Sequence, residues 1–404
     1  MLKDKTIILG VTGSIAAYKI ATLASSLVKL GANVHVIMTK NACNFINPIT
    51  FETLTGNRTL VDTFDRNFEF DVAHVSLAKL ADIMLIAPAS ANIIGKLAGG
   101  IADDMLTTTA MACRCKKIVS PAMNTGMYEN PILQDNLLKL KKFGYKILEP
   151  AIGYLACGDT GAGKMPEPET LLEHIIMECA CEKDFAGEKF IVTSGATIEP
   201  IDPVRYITNH STGKMGCSIA RAALMRGAGV KYICTPTAVR PDATIEGLEI
   251  VEVETAAQLK KATEEKLEES DVLVMAAAVA DYRPKTFTDH KIKKQEGEST
   301  LELVRTDDIL ASLSNIKREG QIFCGFSMET ENLLENSQKK LKKKKLDMIA
   351  ANNLNVEGAG FAHDTNVLTL ISKNSSVELP LMSKDEAAQR ILDSIKELQE
   401  RRDD

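Results

Sequence analysis

Three side chains in the first half of this 404-residue chain have reactive chemistry at suggestive places: the imidazole of His74, the carboxamide of Asn124 and the thiol of Cys157. Asn124 stands in Pro121-Ala122-Met123-Asn124-Thr125-Gly126-Met127-Tyr128, directly after an apolar run, Lys117 to Pro121, that reads as a buried strand. In a doubly wound α/β sheet, ligands bind outside the carboxyl ends of the strands, so that strand would deliver the carboxamide to a ligand. His74 lies in Asp71-Val72-Ala73-His74-Val75, and Cys157 in a run from Gly153 to Met165 with four glycines in eleven residues. A base, an amide and a weak acid could meet there. Each also has a plain reading: a packed histidine, a turn asparagine, a small buried thiol. The glycines cost folding entropy unless mobility or close backbone approach is needed.

The second half offers a long loop, Ser194 to Gly216, rich in Gly, Ser and Thr and carrying Arg205, Asn209 and Lys214 ahead of an expected helix. Such a loop invites a phosphate ligand. Gly213-Lys214 is not a P-loop: Thr208 stands at the first glycine position and Met215 replaces the hydroxyl that holds magnesium. Asp271 to Ala276 reads as a strand running into Ala277-Ala278-Val279-Ala280-Asp281, where small residues permit a flat ligand and Asp281 could meet a magnesium–triphosphate. Ile322 to Phe326 reads as another strand. Lys291-Ile292-Lys293-Lys294 and Lys339 to Lys345 read first as solvated charge runs, although Lys340 and Lys344 are four apart and share a helix face.

The elements that must position these groups repeat βα units. Thr6 to Val11 reads as a strand, Ile15 to Leu30 as an amphipathic helix stopped by Gly31, and Val34 to Thr39 as the next strand. The first turn, Gly10-Val11-Thr12-Gly13-Ser14, would offer N–H groups to an anion. It lacks Gly-x-Gly-x-x-Gly, and Thr39 closes the second strand where a dinucleotide site would have an acid. A single phosphate held by Gly13, Ser14 and Thr39 fits, as does a tight turn with no ligand. Asp82 to Pro88 reads as a strand leading to Ser90 and Asn92, which could bind a ligand or cap a helix. Thr170 to Cys181 reads as a helix, residues 182–189 as a polar linker, and Phe190 to Thr193 as the start of a new βα unit.

Composition narrows the class. A hydrophobic share of 45 % with 25 % charged residues is that of a globular protein, and 404 residues imply two to three domains. The net charge of −6 leaves no basic footprint for nucleic acid. No apolar run approaches the roughly 20 residues of a membrane span, and Met1-Leu2-Lys3-Asp4-Lys5 runs straight into a strand, leaving no room for a signal peptide. Nine scattered cysteines without a histidine cluster read as reduced thiols in the cytoplasm, with no zinc site.

Pro121-Ala122-Met123-Asn124 with Met127, the upstream His74, and Ala156-Cys157-Gly158-Asp159 together resemble the FMN-dependent phosphopantothenoylcysteine decarboxylases. Arg205-Tyr206-Ile207-Thr208-Asn209-His210-Ser211-Thr212-Gly213-Lys214-Met215-Gly216, then Ala277 to Tyr282, then Lys291 to Lys294, are similar in order and spacing to phosphopantothenate–cysteine ligase. The chain as a whole resembles the bifunctional coenzyme A biosynthesis proteins of bacteria and archaea over nearly all of its length. Tyr128 departs from the pattern, which usually has Trp there.

That resemblance implies an α/β protein of two doubly wound domains: a flavodoxin-like flavoprotein over residues 1–183 and a Rossmann-like nucleotide-binding ligase over 184–404. It implies CTP-dependent joining of 4′-phosphopantothenate to cysteine through an acyl-cytidylate, then FMN-dependent decarboxylation of phosphopantothenoylcysteine to 4′-phosphopantetheine. Loss of CO₂ from an unactivated cysteinyl carboxylate strands a carbanion; oxidising the thiol side first creates an adjacent electron sink. His74 is implied as base, Asn124 as the grip on the carboxylate and Cys157 as the acid that protonates the intermediate. Gly13, Ser14, Thr39, Ser90 and Asn92 are implied around FMN. In the ligase, Asn209 would stabilise the acyl-cytidylate with Arg205 nearby, and Lys291 would serve the second half-reaction. Ala276, Ala277, Asp281, Phe326, Lys340 and Lys344 would line the CTP site, with Mg²⁺ meeting Asp281. Trimers of the flavin domain linked by dimers of the ligase domain follow from the same resemblance. Two other readings stand beside it: a flavin oxidoreductase with a regulatory nucleotide domain, and a non-catalytic flavoprotein scaffold.

Overall fold

Runs such as Ile7-Ile8-Leu9 and Ile83-Met84-Leu85-Ile86 are apolar on every residue, the pattern of strands covered on both faces. The computed structural model describes residues 1–63, 73–154, 158, 160–293, 300–329, 333–353 and 363–403. Its contacts divide the chain into two units, Met1–Cys181 and Glu182–Asp404.

In the first unit those runs form a five-stranded sheet in the order Asn33–Met38, Thr6–Val11, Ile83–Ala89, Lys116–Pro121, Lys146–Ile147. Every pairing is parallel. This is the flavodoxin-like order, and the winding reverses between Thr6–Val11 and Ile83–Ala89. Ile8, Met84, Ile86 and Val119 meet Ile93, Ile94, Leu106, Leu137 and Leu140 from the covering helices in one core. The first helix is Ala17–Lys29, two residues shorter at its start than its apolar periodicity predicts, because Ser14 to Ala16 form a turn instead.

The second unit holds an eight-stranded sheet. Its order is Leu248–Glu252, Gly229–Cys234, Lys189–Ser194, Val272–Met275, Ile322–Glu329, Met348–Asn353, Leu368–Ser372, Ser376–Glu378. The first six are parallel and follow the Rossmann order, reversing between Lys189–Ser194 and Val272–Met275. The last two are antiparallel additions at one edge. Helix Lys384–Asp403 buries Ala387, Ala388, Ile391, Leu392 and Ile395, an apolar stripe at helical spacing.

Residues 182–189 differ from the polar linker expected of them. Phe185 is fully buried, edge-on to Phe190 with ring centroids 5.1 Å apart, and the Arg226 guanidinium lies 4.6 Å from its ring. Asp184 pairs with that same guanidinium. One aromatic amid charged neighbours carries no periodic signal, so local composition hid a packed segment. Among the described residues no helix is long and apolar enough to cross a membrane.

Candidate functional site

The reversal point of the first sheet is held by a hydroxyl. Thr12, buried at the end of Thr6–Val11, donates its Oγ1–H to the Pro88 carbonyl at 2.6 Å and accepts from Ser90 N at 3.0 Å. The turn residues thus converge. Gly13 and Ser14 are half-buried, and Ser14 Oγ accepts from Ala16 N at 3.4 Å. Thr39 donates its N–H to the Val11 carbonyl at 3.0 Å. Ser90 caps helix Ala91–Gly99 through Ile93 N, and Asn92 is exposed in its first turn. Capping occupies Ser90 without removing Asn92 or the turn's N–H groups from the strand ends.

Asn124 is exposed one turn beyond Lys116–Pro121, and its Oδ1 accepts from Gly126 N at 2.8 Å, starting the short helix Thr125–Tyr128. Ser120 Oγ on the strand before it and Thr125 Oγ1 just after it are buried with no hydrogen-bond partner among the described residues. Buried polar groups are rarely left so, and a polar ligand edge would satisfy them.

A hairpin lies against this loop. Its strands, Ala151–Tyr154 and Thr160–Lys164, pair antiparallel, and Met123 N donates to the Gly163 carbonyl at 3.1 Å. Gly163 has φ 135°, and a Cβ there would sit 2.2 Å from Met123 O, so only glycine permits the contact. Cys157 belongs to the span joining the two strands and lies outside the described residues. His74 is half-buried on helix Ala73–Leu80, which packs against Met105–Ala112. Tyr128 donates its hydroxyl to Glu149 Oε2 at 2.6 Å, and burial together with that carboxylate pushes the phenol's pKa up.

In the second unit three threonines tie the loops together. Thr193 Oγ1 accepts from Ala277 N at 3.2 Å. Thr197, fully buried, donates its N–H to the Ala278 carbonyl and accepts from Ala280 N at 3.0 Å. Thr208 donates its hydroxyl to the Thr197 carbonyl at 2.9 Å, and Asn209 Nδ2 donates to the Ala278 carbonyl at 3.2 Å. Gly213, at φ 75°, opens helix Lys214–Met225; a Cβ on it would lie 2.8 Å from Ser194 Oγ, so the helix start presses on the first strand's end.

These ties wall a cavity of about 770 Å³ at the carboxyl ends of Val272–Met275 and Ile322–Glu329. Asn209, Ala276, Ala277, Asp281, Phe326, Lys340 and Lys344 all line it. Lys344 pairs with Asp308 at 3.0 Å. Arg205 and Lys291 are not among the lining residues: the Arg205 guanidinium is bound by Asp202, and Lys291 is exposed on an irregular segment.

The cavity also takes in residues that sequence reading passed over. Arg305 to Asp308 line it, with Thr306 donating its hydroxyl to the Ala280 carbonyl at 2.5 Å. Lys384 lines it too; only 6 % exposed, it donates to the His363 carbonyl at 2.5 Å. Burial, with Lys214 nearby, pushes its ammonium pKa down. Nothing in the local sequence marks Lys384, since it lies some 170 residues from its cavity neighbour Lys214. Asn352 Oδ1 is buried at the wall without a partner among the described residues. Among the described residues no three His, Cys, Asp or Glu side chains group as a metal site.

Comparison with known proteins agrees with this division. The family model for the flavoproteins matches residues 1–180, and that for the DNA/pantothenate metabolism flavoprotein C-terminal domain matches residues 185–398. The coenzyme A biosynthesis bifunctional protein CoaBC of Bacillus subtilis is 44 % identical over 405 residues, covering 98 % of this chain and 97 % of that protein. That of Vibrio cholerae is 40 % identical over 403 residues, covering 98 % and 99 %. A cysteine/cysteine sulfinic acid decarboxylase from an unidentified prokaryote is 42 % identical over 355 residues, covering 87 % of this chain and 98 % of that protein.

Proposed function

The chain belongs to the family of bifunctional coenzyme A biosynthesis proteins, and from that premise we propose how its two units divide the work. The family's two activities, phosphopantothenate–cysteine ligase and phosphopantothenoylcysteine decarboxylase, are those of this protein, and the first unit is a flavoprotein. The finer reading is ours: the ligase uses CTP and Mg²⁺ to join 4′-phosphopantothenate to cysteine, and the decarboxylase uses FMN.

The cavity of the second unit supports the ligase reading most directly. Four lysines line it, Lys214, Lys340, Lys344 and Lys384, and charge neutralisation of this kind serves phosphoryl chemistry without a protein nucleophile. The small side chains of Ala276 and Ala277 leave room for a flat base, and the orphan Oδ1 of Asn352 suits a donor on a nucleoside. In this reading the substrate carboxylate attacks the α-phosphorus and pyrophosphate leaves, Asn209 steadying the acyl-cytidylate. The cysteine amine then displaces CMP with Lys291 acting in that step. Asp281, Asp307 and Asp308 line the wall, and a magnesium ion meeting Asp281 would draw most of its remaining ligands from the triphosphate and water.

In the first unit, Gly13, Ser14 and Thr39 would hold the FMN phosphate, and Ser90 and Asn92 its ring or ribityl edge. The unpartnered Ser120 and Thr125 hydroxyls fit a polar ligand beside Asn124. Bound flavin supplies a reversible two-electron oxidation of the substrate's thiol side. His74 would take the proton in that oxidation, Asn124 hold the departing carboxylate and Cys157 protonate the resulting carbon.

The test is incubation of the purified chain with phosphopantothenate, cysteine, Mg²⁺ and either CTP or ATP. Expected are one CMP, one pyrophosphate and one CO₂ per product with CTP, and a yellow protein with an FMN spectrum. Indifference to both nucleotides, or a colourless protein that FMN cannot reconstitute, would overturn the corresponding half.

A further inference from the structure

Asp202 lies in the turn Ile201-Asp202-Pro203-Val204-Arg205, and its side chain is completely shielded from solvent. Its Oδ1 accepts from Val204 N and Arg205 N, both at 2.9 Å, an arrangement any Asx turn would make. Its Oδ2 does something else. That oxygen accepts from Arg205 Nε at 3.0 Å, from Arg205 Nη2 at 2.5 Å, and from Ile292 N, ninety residues away, at 3.2 Å. Arg205 Nη2 closes the ring by donating to the Ile292 carbonyl at 3.0 Å. Thr288 adds two bonds, from its N–H and its hydroxyl, to the Ile201 carbonyl, each at 3.3 Å.

The segment so gripped, residues 285–293, has neither helix nor strand, and Lys291 stands exposed in it next to Ile292. Nothing in its own local structure fixes where that ammonium points. We propose that Asp202 is a positioning residue of the ligase reaction, its Oδ2 fixing the Arg205 guanidinium and the Lys291-bearing segment in one arrangement. The inference rests on the reading above in which Arg205 and Lys291 serve the ligase. Charge-assisted, forked hydrogen bonds are the strong and directional kind, which suits them to holding an irregular segment. The adjacent guanidinium holds the Asp202 carboxyl well below the usual carboxylate range, so the clasp stays charged throughout neutral pH.

The two oxygens make the idea separable from a mere turn. Asp202→Asn keeps an Oδ1 acceptor for the turn but turns Oδ2 into an NH₂ facing three donors. A turn-only residue would tolerate that exchange. For a positioning residue, kcat for amide formation falls about 10²-fold, the cost of misplacing a reacting group by about an ångström, while KM for CTP stays within about threefold. Backbone amide exchange in a peptide spanning Ile292 accelerates at least about tenfold, whereas exchange in Lys189–Ser194 does not change. In the Lys291→Ala background the same substitution adds little further loss, because the two act through one group. Wild-type kcat and exchange in Asp202→Asn, or faster exchange throughout the unit, overturns the proposal. If the unsubstituted chain turns over neither CTP nor ATP, the ligase reading has failed, and with it the proposed role; the exchange comparison then shows only whether the clasp itself exists.

Discussion

Tyr128 shows how one side chain absorbs a departure from a family pattern. Its phenol reaches Glu149 at 2.6 Å, which Lys141 grips from the other side at 2.8 Å. Tyr128→Phe should lower the first unit's stability by about 1 kcal/mol, the net worth of one ordinary hydrogen bond, read as a small drop in Tm with decarboxylation unchanged. Asn124 stands just past a strand's end, where its neighbours placed it, and its cap bond from Gly126 N is the one the turn reading expects. Cys157→Ser keeps size and removes the acidic thiol, so CO₂ release should continue while net product falls about 10²-fold or more, the range that general acid catalysis contributes. Normal product formation by that variant, followed by mass spectrometry, refutes the acid role.

At the scale of elements, the hairpin and the Asn124 loop depend on one backbone approach. Gly163→Ala would drive a methyl into the Met123 carbonyl. The expected result is a loss of roughly 2 kcal/mol or more from clash and strain, with decarboxylation impaired and the ligase unaffected. An unchanged melt and full activity would show that the hairpin does not need that contact. The pinning of helix Lys384–Asp403 depends on Arg226, which bridges Asp184 and Asp393. That guanidinium holds the Asp184 carboxyl below its usual range. A depressed carboxyl contributes stability above its unfolded value of about 3.9 and loses it as pH falls through the folded one. The second unit should therefore hold a constant Tm from pH 8 to about 5 and weaken below about pH 4, with Arg226→Ala flattening that acid limb. The apolar parallel strands and the helices Ala17–Lys29 and Pro168–Cys179 were legible from periodicity; residues 182–189 were not, because one buried phenylalanine among charges has no period.

For the whole molecule, the proposed assignment of one reaction to each unit makes their losses separable. Asn209→Asp puts a charge where an amide donates to the Ala278 carbonyl at the cavity wall, so amide formation should fall about 10²-fold or more, as when a donor to developing charge is removed. Decarboxylation of supplied phosphopantothenoylcysteine should continue unchanged in the same protein; a joint loss, measured in parallel assays, would break the two-site reading. Residue order by itself determined the two βα-repeating halves, the absence of a dinucleotide fingerprint and the motifs around Asn124 and Asn209, because spacing along a strand or turn is a local property. Only the tertiary structure decided that Arg305 to Asp308 and Lys384 share a wall with Asn209, and that Asp202 reaches Ile292. Those meetings arise from sheet order and long-range hydrogen bonds between segments far apart in the chain, and no local pattern of side chains encodes them.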